Sequence, residues 1–81
     1  MSAVLRTPYQ EFAEFVTSSP TLEQIVEYRL SDANEAYISS LLEGNRNGTL
    51  TPEELQELQD YTRLEHLMRL VKIRAYEKLA R

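Results

Sequence analysis

Apolar residues recur every three or four positions along most of this chain, the spacing of amphipathic helices and not of strands. Thr7-Pro8 is a helix start, a capping threonine followed by proline at the first helical position. Phe12, Phe15 and Val16 then mark one face, and Ser18-Ser19-Pro20 closes the segment. Thr21 offers a second cap, with Gln24 three residues on as its capping-box partner. Leu22, Ile25, Val26 and Leu30 follow at helical spacing. Ser31-Asp32 restarts the chain, and Ala33, Ala36, Tyr37, Leu41 and Leu42 trace a third face. The stretch Gly44-Asn45-Arg46-Asn47-Gly48 reads as a loop, since Gly and Asn tolerate the positive φ angles of tight connections. Thr51-Pro52-Glu53-Glu54 is the strongest start signal, with a cap, a first-turn proline and a box-closing glutamate. No Gly or Pro follows it. The prediction is an all-α single domain: three short helices at about 8–18, 22–30 and 32–43, then one long helix at about 52–79. Disorder is the expectation for residues 1–6.

The long helix carries more apolar surface than one face holds. At about 100° per residue, Tyr61, Leu64, Leu67, Met68, Val71, Ala75 and Leu79 form a broad stripe. Leu70 and Ile73 lie well off it, and Tyr76 sits on its other flank. Three short helices can cover one stripe, which leaves Leu70, Ile73 and Tyr76 as the expected contact surface for another chain. The competing explanation is an N-terminal helix that wraps round and covers the second face.

Composition narrows the function classes. The 81 residues are 42% hydrophobic and 27% charged, ordinary globular usage, with no cysteine. Thiol catalysis, thiolate zinc sites and a disulfide scaffold are therefore excluded. A core this small is marginal, so well-formed helices, a partner or a second copy must supply stability. Apolar runs of two or three residues span no membrane, and Met1–Leu5 has no signal-peptide character, so the expected setting is the cytoplasm. Charge is unevenly spread. Residues 1–62 hold eleven acids and three bases, a net of −8, whereas residues 63–81 hold six bases and two acids, a net of +4. Cations at a helix C-terminus suit the macrodipole, but these extend over several turns. An acidic body points to a basic protein partner, drawn by complementary fields, with Glu53, Glu57 and Asp60 as the expected steering acids.

Candidate chemistry is sparse. Glu43 through Glu54 can be laid on a calcium-binding EF-hand loop, with Asn45, Asn47, Gly48, Leu50 and Glu54 at the matching positions. Glutamate stands where aspartate is usual, two amides replace carboxylates, and there is no second loop to pair with. Every residue of that match also serves a plain helix–loop–helix turn, so no metal or cofactor is expected and a degenerate calcium site remains an alternative. His66, the single imidazole, follows Glu65 directly, and adjacent helical positions do not face each other. No serine or threonine has an evident base, and no glycine-rich phosphate loop occurs, so no catalytic residue is expected. The C-terminal cations scatter around the helix instead of lining one edge, and the whole chain is acidic, which disfavours direct nucleic-acid binding.

One resemblance adds to this. Ser19-Pro20-Thr21-Leu22-Glu23-Gln24-Ile25, Tyr28-Arg29-Leu30-Ser31, Leu41-Leu42-Glu43, Thr49-Leu50-Thr51-Pro52-Glu53-Glu54-Leu55, Leu64-Glu65-His66-Leu67-Met68 and Lys72-Ile73-Arg74-Ala75 resemble a group of small bacterial all-helical proteins. The likeness spans residues 17–79 and rests mostly on capping and packing positions. Such proteins look like antitoxin-type or accessory partners of nucleases or toxins. That implies a non-enzymatic binding module and carries no catalytic residue over. The expected partners are a basic nuclease- or toxin-like protein and a second copy of the chain; a purely structural homodimer is the alternative.

Overall fold

In the computed structural model, which describes residues 7–81, four helices follow in order: α1 Pro8–Val16, α2 Leu22–Glu27, α3 Asp32–Asn47 and α4 Pro52–Leu79. The disorder expected of residues 1–6 lies outside the described residues. Among the described residues there is no strand, as the periodicity predicts.

Each helix starts where a hydroxyl can replace a missing backbone partner. The side chains of Thr7, Thr21 and Thr51 each accept the N–H three residues on at 3.1 Å. Gln10, Gln24 and Glu54 reach back to the N–H of the capping threonine, completing three capping boxes. Ser31 caps α3 by accepting the Asn34 N–H at 3.2 Å. The ends depart from expectation. α1 stops at Val16, because Ser19 takes a left-handed φ of 57° ahead of Pro20. α2 stops at Glu27, and Tyr28 turns extended (φ −60°, ψ 135°), so Leu30 enters the core from a connector and not from a helix.

The largest correction concerns residues 44–47, which are helical and not loop. In this stretch only Gly48 takes the left-handed conformation, at φ 70°. Thr49 then donates its N–H to the Gly44 carbonyl at 2.9 Å and ends α3. Gly44 serves a different need, since a Cβ there would stand 2.6 Å from Cδ2 of Leu50. The helix also turns Asn45 about 160° away from Glu43 and Asn47, so the three do not converge on one cation as the EF-hand match requires.

α4 is the common element. α1, α2 and α3 each pack on it more than on one another, in a body of 47 × 33 × 16 Å whose thinnest dimension is little more than a helix diameter. The core consists of Phe12, Leu30, Ile38, Leu41, Leu58, Leu64 and Ala75, with the side chain of Asn34 fully enclosed beside them. On α3 the buried face is therefore Asn34, Ile38 and Leu41, while Ala33, Ala36 and Leu42 are exposed. On α4, Leu64 and Ala75 are buried and Tyr61, Met68 and Val71 half-buried, but Leu67 and Leu79, assigned to the covered stripe by periodicity, are exposed. The reason is reach: α2, the helix over this part of α4, is six residues and about 9 Å long.

Candidate protein-binding surface

The large apolar residues left bare on α4 form one ridge. Leu67, Leu70, Ile73 and Tyr76 follow at intervals of three on α4 and are 49%, 55%, 48% and 66% exposed. Steps of three residues turn about 300°, so the ridge crosses the helix obliquely. Leu70, Ile73 and Tyr76 lie about 140°, 160° and 100° round the axis from buried Ala75. The ridge also continues onto α2. Val26 joins Ile73 and Tyr76 in lining one shallow groove, and Leu22 and Ile25 join Leu70 in lining another. No helix from the N-terminal part wraps over it among the described residues.

Glu53, Glu57 and Asp60, expected to act with this surface, are placed elsewhere. Asp60 lies ten residues before Leu70, about 15 Å along the helix, and Glu53 about 35 Å before Tyr76. They also lie within about 60° of the packed side. Glu57 accepts the Tyr37 hydroxyl at 2.7 Å, tying α3 to α4. That bond, with burial and the charges of Glu57 and Glu54, pushes the Tyr37 pKa up to about 12. The carbonyl of Asp60 accepts the Tyr9 hydroxyl at 2.9 Å, and its carboxylate accepts from Gln56 at 3.0 Å. Glu53 is an exposed first-turn acid. Thus the apolar residues come together, while Glu57 through its carboxylate and Asp60 through its backbone carbonyl join the helices instead.

Nothing local announces these tyrosine bonds, whose partners stand 20 and 51 residues apart. The same holds for Tyr28, packed on Phe12 and stacked on Phe15 with ring centroids 4.2 Å apart. Burial and then the Glu11 charge raise its pKa. Beside it a groove of about 510 Å³ opens between the α2–α3 connector, α3 and α4, floored by Leu30, Ile38 and Met68. Its rim closes on itself through Arg29–Glu35 at 2.8 Å and Arg69–Glu65 at 3.5 Å.

His66 is exposed on α4, with no serine or threonine hydrogen-bonded to it among the described residues. No group of three or more His, Asp or Glu among the described residues is arranged to hold a metal ion. No helix among them is long and apolar enough to cross a membrane. Compared with protein families, with curated proteins and with solved structures, the chain matches none. What the surface offers chemically is apolar contact on a rigid helix, edged by charge.

Proposed function

We propose that this chain is a non-enzymatic protein-binding module of the accessory or antitoxin kind, acting in the cytoplasm and docking its partner through Leu70, Ile73 and Tyr76. The observation that carries the reading is the ridge itself. Four large apolar side chains, each about half exposed or more, stand on a helix otherwise anchored by a buried core. A contiguous apolar patch of this kind on a small domain marks an interaction site. The antitoxin-like character is supported by the sequence resemblance, and a basic partner by the net −8 of residues 1–62, which attracts cations at range.

Replacing Leu70 and Ile73 together by Lys is the test. Both side chains point away from the core, so helicity is retained. Immobilised chain incubated with lysate of its source cell should hold a partner stoichiometrically, and the double variant should lose it. Equal capture by the variant would sink the ridge as the contact surface. A second reading, a structural homodimer through the same ridge, is favoured by one bare face on so flat a body. Light scattering that finds only monomer at high concentration excludes it.

A further inference from the structure

We infer that the ridge on α4 is built for an acidic amphipathic helix of another protein, with apolar side chains along one face and Asp or Glu beside them. This rests on the docking reading above and adds the chemistry of the occupant. The expectation of a basic partner comes from the whole-chain charge, but a docked surface meets the local charge. Around the ridge that charge is still positive: residues 63–81 hold six bases against two acids, and α2, onto which the ridge continues, adds the exposed Glu23 and Glu27, six bases against four acids in all. Both acids of α4 already have partners, Glu65 with Arg69 and Glu77 with Arg74, each at 3.5 Å. Lys72 and Lys78 flank the ridge with no acidic partner among the described residues. A basic helix seated there meets uncompensated like charge, whereas an acidic one pairs with Lys72 and Lys78 at the rim of an apolar contact.

The same charges argue against two other occupants. In a second copy of this chain seated ridge to ridge, a net positive charge faces a net positive charge, and the acids of residues 53–60 cannot relieve it because they lie about 15–35 Å away along the helix. An anionic membrane is planar and meets the rest of the body too. At a thickness of 16 Å, acids of residues 1–62 on the near half of the body come within about one screening length of that plane and are repelled by it. A single helix touches the ridge alone. From Leu67 to Tyr76 the ridge spans about 14 Å, the length of two to three helical turns.

Two labelled synthetic peptides of about fourteen residues test this, identical in their leucines at helical spacing and carrying either Glu or Lys at the flanking positions. Binding to the full chain is followed by fluorescence anisotropy at about 25 and about 200 mM salt. The Glu peptide is expected to bind about tenfold tighter than the Lys peptide at low salt, and the gap should narrow at high salt. Lys72→Glu with Lys78→Glu should erase the preference, while Leu70→Lys with Ile73→Lys should abolish binding of both. Equal or stronger binding of the Lys peptide, lost in the Leu70/Ile73 variant, overturns the acidic occupant and leaves the docking reading standing. Failure of both peptides to bind overturns both. Co-sedimentation with phosphatidylserine-rich vesicles, or a dimer that the Leu70/Ile73 variant dissolves, likewise overturns the inference in favour of that occupant.

Discussion

Gly44 and Gly48 look alike in sequence and differ in what the fold asks of them, and substituting each by alanine separates the two. At Gly48 the demand is backbone conformation. Its φ of 70° sits in open space, so a Cβ meets no neighbour but must adopt the left-handed region. That costs about 1–2 kcal/mol, partly offset by about 0.4–1 kcal/mol from a stiffer unfolded chain. Gly48→Ala should therefore destabilise by about 1 kcal/mol whatever residue stands at 50. At Gly44 the demand is space. The backbone there is helical, so alanine gains about 1 kcal/mol of helix propensity. The added Cβ, however, meets Leu50 Cδ2 at 2.6 Å and Thr49 Oγ1 at 3.3 Å. Overpacking of this kind costs about 1–3 kcal/mol. Leu50 is half-buried and can shift in part, so the net loss should be about 1 kcal/mol. In a Leu50→Ala background the clash is gone and only the propensity gain remains. The coupling between positions 44 and 50 should thus be about 2 kcal/mol, read as a change of sign. Urea denaturation followed by far-ultraviolet circular dichroism resolves it, since 1 kcal/mol moves the midpoint by about 1 M in a domain of this size. If Gly44→Ala stabilises the chain with Leu50 intact, or if the two substitutions simply add, the packing argument for Gly44 is refuted.

Leu64 is 1% exposed at the centre of α4, so Leu64→Ala should cost about 3 kcal/mol and lower Tm by about 10–20 °C; a shift of only a few degrees would remove it from the core. The Tyr37–Glu57 bond predicts a loss of stability in alkali. Because folding raises the Tyr37 pKa from 10.0 to about 12, its contribution is fully present below pH 10.0 and is lost as pH rises through about 12. Raised values at Tyr28 and Tyr61 act in the same direction. The wild type's advantage over Tyr37→Phe, about 1 kcal/mol for a bond this close to solvent, should hold at pH 8 and vanish in denaturation curves taken near pH 12. An advantage that does not change with pH would mean the hydroxyl does not depend on Glu57.

The features legible in sequence are those made by residues three or four apart. All three capping boxes are of this kind, since threonine and its glutamine or glutamate complete both bonds within one turn. Helix ends are less legible, because the preferences of Gly and Asn amount to about 1 kcal/mol and packing overrides them. At residues 44–47 the deciding contacts are the turn bond from Thr49 and the seat of Leu50 against Gly44, neither visible in composition. The face of α3 is legible at Leu41 and obscured elsewhere for a related reason: a polar residue, Asn34, stands at its most buried position, so apolar spacing alone points to the neighbouring alanines. On α4 the angular spacing gave the right directions for Leu70, Ile73 and Tyr76, but angle alone does not say how far a cover extends. Spacing places Leu67 on the covered side, yet it is exposed because α2 ends too soon. The grouping of Glu53, Glu57 and Asp60 with the apolar residues fails on distance, since ten to twenty-three residues along a straight helix are about 15–35 Å. A charge total treats the chain as a point, and a helix of 28 residues is far from one: its acidic start stands about 15–35 Å from the ridge while its basic end borders it. The charge that a molecule docked on the ridge meets is therefore set by the residues bordering the ridge and not by the net charge of the whole.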